Sequence, residues 1–135
     1  MAEITIHVEA DVNPTETEDK VKVAVANMFG NLQTRIEPSA VGSVLVGEAK
    51  SREALENFRA VLRRDRVRAA ARKLLHSNVR GNRISFCLNK QVASTGHVSF
   101  SQETGECPLG PIKVIIETEN PRELVDWLAP RITET

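Results

Sequence analysis

Nine arginines and one lysine fall within a single stretch: Arg52, Arg59, Arg63, Arg64, Arg66, Arg68, Arg72, Lys73, Arg80 and Arg83. Only Glu53, Glu56 and Asp65 oppose them, so the stretch carries +7 while the whole chain, with 18 bases and 18 acids, is neutral. Such segregation speaks of fields and partners, not of fold. A guanidinium presents a planar fork of N–H donors that grips two phosphate oxygens at once, which an ammonium does not. On a helix Arg64, Arg68 and Arg72 stand four apart and share a face, and Arg59, Arg63 and Arg66 share a second. A helix break near Arg64-Asp65-Arg66 would set the two stripes at an angle, astride a groove. Arg59, Arg63, Arg64, Arg66, Arg68, Arg72, Lys73, Arg80 and Lys90 are the expected contacts to an anionic, phosphate-bearing partner. They would hold phosphates without reading bases. The plain alternative is a solvated helix face, its arginines paired with Glu53, Glu56 and acids elsewhere.

Other reactive residues are sparse. Aromatic residues make up 4%, and Phe29, Phe58, Phe86, Phe100 and Trp127 all occupy patterned apolar positions. None is left over to stack bases, as single-strand binders require. An RNA ligand would thus be a structured one, recognised by backbone and shape. His7, His76 and His97 lie far apart, and Cys87 and Cys107 form no Cys-x-x-Cys pair, so no metal site is expected. Cys87 with His97 as base is the one arrangement that could supply a nucleophile, but Cys87 reads better as a small half-buried side chain. The spacing of Gly105 and Gly110 superficially suggests a phosphate loop, yet it lacks Lys-Ser/Thr and runs into Pro111. Asn89-Lys90-Gln91 ends a strand, and Asn89 suits a turn whose side chain satisfies backbone groups. No catalytic residue and no cofactor is expected.

The elements that must carry these residues follow from periodicity. Residues 3–9 alternate polar and apolar, which predicts a half-buried strand with Ile4, Ile6 and Val8 inward. Thr15 and Glu18 make a capping box for a helix bearing Val21, Ala24, Val25 and Met28. Residues 32–37 and 43–49 read as a strand pair. Ser51 caps a second helix, with Leu55, Phe58 and Leu62 as one apolar stripe; Val67, Ala70, Ala71, Leu74 and Leu75 form another, out of phase with the first. The second helix should stop before Gly81-Asn82. Residues 83–88, 97–100 and 113–117 alternate as strands. Asn120 and Pro121 open a last helix, whose Trp127 should be largely buried. The order is β-α-β-β-α(α)-β-β-β-α: an α+β fold with a largely antiparallel sheet and helices on one face.

At 135 residues with 41% apolar content, the chain is expected to form a single domain, 1–135, that needs no disulfide. No apolar run is long enough to cross a bilayer. The early acids Glu3, Glu9, Asp11, Glu16, Glu18 and Asp19 are the reverse of a secretory leader, so a cytoplasmic location is expected.

Leu88-Asn89-Lys90-Gln91, Gly96-His97-Val98-Ser99-Phe100, Pro108-Leu109-Gly110-Pro111-Ile112 and Asp126-Trp127-Leu128-Ala129-Pro130 occur in that order. With Pro14-Thr15-Glu16 and Asn27-Met28-Phe29, they resemble a small archaeal family described as predicted RNA-binding proteins with a link to the exosome. The resemblance implies a fold similar to the ribosomal protein of the L-five type, an RNA partner and RNA-processing proteins nearby. It carries over no catalytic residue. The reading is a non-catalytic protein that contacts phosphates of structured RNA through its Arg-rich helices. The alternative is a protein-interaction module whose arginines dock on an acidic partner or, as a homodimer, on a second copy.

Overall fold

The structure is a computed structural model and describes residues 4–14, 17–30, 32–39, 42–101 and 111–130. Its elements are β1 (Ile4–Val12), α1 (Glu18–Met28), β2 (Gln33–Ser39), β3 (Gly42–Ala49), α2 (Glu53–Arg64), α3 (Arg68–Ser77), β4 (Val79–Arg80), β5 (Arg83–Leu88), α4 (Lys90–Ser94), β6 (Phe100–Ser101), β7 (Ile112–Thr118) and α5 (Pro121–Leu128). The strands form one antiparallel sheet in the order β2-β3-β1-β7-β5-β4, with β6 also paired to β5. Pro38, which cannot donate to a ladder, lies in the edge strand β2, where such a residue is tolerated.

The alternation in the strands sets the two faces. Ile4, Ile6, Val8, Ala10 and Val12 of β1 are all buried, and β7 aligns Ile112, Val114 and Ile116 with them across the ladder. Ile84, Phe86 and Leu88 of β5 extend the same face. The helices cover it with Val21, Val25 and Met28 from α1, Leu55, Phe58 and Leu62 from α2, Leu75 from α3, and Leu124 and Leu128 from α5. Phe58 is the hub. Its ring lies 5.2 Å from Phe29, 5.5 Å from Phe86 and 6.3 Å from Phe100, so helix and sheet interlock through aromatic contacts. The helices are also tied by amides: Asn57 donates to the Asn27 carbonyl at 2.7 Å, and Asn27 donates to the Ala93 carbonyl at 2.9 Å.

The opposite face carries Arg35, which bonds Glu37 and Glu48 across its neighbours, and Arg83 opposite Glu117. Exposed pairs like these contribute little to stability. They show where part of the chain's acid sits, on the side away from the Arg-rich helices.

Several local expectations change. Residues 97–99 are not strand; only Phe100 and Ser101 pair with β5, because the Val98 N–H is taken by the Asp65 carboxylate instead of a ladder. A short helix, α4, fills the gap, capped by Asn89, whose side chain accepts the Val92 N–H at 3.0 Å. The cap of α1 is Thr17, which accepts from the Lys20 N–H; Thr15 lies outside the described residues. No side-chain bond from Ser51 or Asn120 caps α2 or α5. Trp127 is only half-buried, at the edge of the core. Gly105, Cys107 and Gly110 lie outside the described residues.

Replacing Phe58 by Ala removes the hub ring from a fully buried position and should lower stability by about 3–5 kcal/mol. Urea denaturation measures this, and a loss under about 1 kcal/mol would show that the aromatic contacts are dispensable.

Candidate nucleic-acid interface

The Arg-rich segment is two helices with a sharp joint. At the end of α2 the Arg66 N–H bonds the Arg63 carbonyl and the Val67 N–H bonds the Leu62 carbonyl. Arg66 has a φ of 58°. This is the paired-bond helix stop that normally places glycine at the left-handed position, with the following apolar residue, Val67, packed back on the core. An arginine there is disfavoured by roughly 1–2 kcal/mol relative to ordinary backbone. Strain of this kind at a non-glycine residue points toward a use for its side chain.

Asp65 holds the joint in place. Its carboxylate accepts the Val98 N–H at 2.8 Å, lies 3.1 Å from His97 Nδ1, and lies 3.4 Å from Arg64 Nε. Burial alone would raise the Asp65 pKa; the Val98 N–H, His97 and Arg64 outweigh it and hold the carboxyl below its ordinary value. Arg64 also reaches the Gly96 carbonyl. The loop before β6 is thereby clamped to the helix joint.

The bend creates a groove of about 500 Å³, lined by Glu56, Arg59, Ala60, Arg63, Arg64, Arg66, Arg68, Leu128 and Pro130. Five guanidinium groups face one carboxylate. Each like-charge pair near a protein surface opposes folding by on the order of 1 kcal/mol before salt screening. Among the described residues Arg63 and Arg66 form no ion pair and are exposed. The Nε of Arg68 is buried without a hydrogen-bond partner. No side chain caps α3, and its first turn holds no acid, so its N-terminal N–H groups add a partial positive charge beside Arg68.

Not every expected residue reaches this groove. Arg59, Arg63, Arg64, Arg66 and Arg68 do. Arg72 turns away to Asp126 at 2.5 Å and to the Ala129 carbonyl at 3.3 Å. That ion pair, led by the Arg72 hydrogen bond, lowers the Asp126 pKa. Lys73 is exposed on α3 but outside the lining. Arg80 folds onto the Ser77 and Val79 carbonyls, beside a separate depression shared with Asn82, Arg83 and Glu117. Lys90 does not lie on a surface at all: it is 3% exposed and donates to the Asp11 carbonyl at 2.7 Å. An ammonium follows Asn89 into the interior because α4 turns it inward, toward a backbone acceptor of β1. Cys87 is half-buried on β5, and His97 places its Nδ1 3.1 Å from the Asp65 carboxylate.

Three parts of the site had no sequence signal. Leu128 and Pro130 form a wall only because α5 packs on α2 and α3. Trp127 supports the groove from behind, with the Arg59 and Arg52 guanidinium carbons 5.2 and 5.3 Å from its ring centre, and Arg59 also donates to the Trp127 carbonyl at 2.9 Å. Contacts of this type are worth about 0.5–1 kcal/mol when exposed. Asp65 looked like one acid among arginines.

Two outcomes follow from the joint. Arg66→Gly relieves the left-handed backbone and should raise stability by about 1 kcal/mol, seen as a higher urea midpoint; a lower midpoint would mean that the Arg66 side chain supports the fold. Asp65 has a depressed folded-state pKa, so its contribution is complete above its unfolded pKa and is lost as pH falls through the folded one. Asp65→Asn should therefore destabilise the protein at neutral pH, and its deficit against wild type should narrow as acid protonates the wild-type carboxylate. A pH-independent deficit in thermal melts would contradict the clamp.

A family model described as RNA binding matches residues 5–118. The UPF0201 protein of Sulfurisphaera tokodaii is 44% identical over 126 residues, which cover 93% of this chain and 87% of that protein. The UPF0201 protein of Sulfolobus acidocaldarius is 44% identical over 124 residues, covering 92% of this chain and 86% of its own. Among solved structures, the UPF0201 protein from Methanococcus jannaschii superposes with a TM-score of 0.84 at 29% identity, over 93% of this chain and 99% of that one. With near full-length relatives in archaea, and a family model described as RNA binding matched from the first strand to the end of β7, the chain belongs to the UPF0201 family.

Proposed function

We propose that this protein binds structured RNA without acting on it chemically, and that the bent pair α2–α3 supplies the contact surface. The observation that carries the reading is the groove in which Arg59, Arg63, Arg64, Arg66 and Arg68 meet with Glu56 as the sole acid in the lining. Arginine forks suit phosphate oxygens, and contacts to phosphate position a nucleic acid without demanding sequence. The family description supports the same partner. The aromatic residues also agree. Phe29, Phe58 and Phe86 are core, Phe100 packs against it, and Trp127 is engaged by arginines, so stacking on splayed bases has no evident platform among the described residues. A cytoplasmic location and RNA-processing proteins as further partners belong to this proposal.

The test is a charge reversal at the two arginines that are exposed and make no ion pair among the described residues. Arg63→Glu with Arg66→Glu should weaken binding to a hairpin RNA steeply at low salt. The slope of log affinity against log salt should become shallower by about 1.4–1.8, near 0.7–0.9 for each phosphate no longer neutralised. Lys22→Glu, on the exposed face of α1 and outside the groove lining, should leave the slope unchanged. A folded double variant that binds RNA like wild type would instead favour docking of the arginines on an acidic protein or a second copy.

A further inference from the structure

We infer that the groove seats a terminal phosphomonoester, the phosphorylated end of an RNA strand, in preference to an internal phosphodiester. This deepens the RNA reading above and rests on it.

The first argument is the shape of the field. A site that tracks a backbone needs charges laid out along a line, because successive phosphates repeat along the strand. A continuous helix bearing Arg64, Arg68 and Arg72 would have supplied such a line, about 12 Å long for eight residues. The structure breaks it. The joint at Asp65 and Arg66 turns α3 away, and Arg72 is drawn off to Asp126 and the Ala129 carbonyl. What remains is focal: arginines from α2, from the joint and from the start of α3 around a single concavity of about 500 Å³. That is the scale of a small-ligand site.

The second argument is stoichiometry. An internal phosphodiester carries one negative charge and two free oxygens. A phosphomonoester carries about −1.5 to −2 at neutral pH and three terminal oxygens. With Arg64 paired to Asp65, the other four arginines of the lining against the Glu56 carboxylate leave a formal +3. A single diester offsets a third of that, and a dianion two thirds. The buried Nε of Arg68, with no hydrogen-bond partner, is a donor still lacking an acceptor. It stands at the first residue of α3, where no side-chain cap or first-turn acid competes for an incoming anion. Ala60 and Pro130, over the buried Leu128, complete the lining with apolar surface, so selectivity would come from the charged group and not from base edges.

The experiment uses one hairpin RNA in three forms, with a 5′-phosphate, with a 3′-phosphate, and with hydroxyls at both ends, titrated by fluorescence anisotropy at fixed salt. One phosphorylated form should bind about tenfold or more tightly than the hydroxyl form, as charge-assisted bidentate contacts allow, and which form gains tells the two ends apart. Arg68→Ala, checked for folding by circular dichroism, should reduce that preference to under about twofold. A second readout needs no variant. The wild-type preference should shrink as pH is lowered from about 7 to about 5, because the monoester gains a proton near pH 6 and a diester does not. Equal affinity for the three forms would overturn the terminal-phosphate inference while leaving RNA binding intact. Failure to bind any of them would overturn the RNA reading as well.

Discussion

Asp65 stands where α2 stops, and its carboxylate takes the N–H of Val98, more than thirty residues further along the chain. That one contact joins two distant segments at the point where the Arg-rich helices bend. The backbone at Arg66 adopts a left-handed conformation to complete the helix stop, and Val67 packs back toward the core. Without the bend, the arginines of α2 and α3 would radiate along one rod. With it, five of them meet. The direction of α3 thus depends on a half-buried anion at the joint, and the groove depends on the direction of α3.

The joint also explains how the site's arginines divide into two groups. Arg59 and Arg64 are held by backbone carbonyls, Arg59 with a tryptophan ring as well, and so are placed before any ligand arrives. Arg63 and Arg66 are exposed and make no ion pair among the described residues. A held group loses little freedom on binding, while a free group adapts to its partner. Arg68 lies between the two, with its Nε buried and unbonded. The concentration of like charge is unfavourable to the folded chain, and so is the left-handed Arg66. Local disadvantages of this kind are expected at sites shaped by function more than by stability.

The sheet supplies the rigid base beneath this surface. Its helix-covered face is continuous apolar packing from Ile4 to Leu88, locked to α2 through Phe58 and its neighbouring rings. The far face is lined by ion pairs such as Arg35 with Glu37 and Glu48. The excess of base on α2 and α3 favours approach of an anionic partner from the helix side.

The period-two and helical patterns were enough to read the α+β order, the inward faces of β1, β5 and β7, and the break near Asp65, because each is a local consequence of side-chain direction. The charge excess between Arg52 and Arg83 was legible for the same reason: it is a count. The selection among those bases was not. Lys90 belongs to the interior and Arg72 to Asp126, while Leu128 at the end of α5 and Pro130 just beyond it close one side of the groove. The strand expected at residues 97–99 gave way because Val98 found an acceptor in Asp65. Each of these outcomes turns on a partner distant in the chain, and spacing along a sequence carries no record of which distant groups will come within hydrogen-bonding reach. Sequence alone determined the layers and the amount of positive charge; the tertiary structure decided which arginines share a groove.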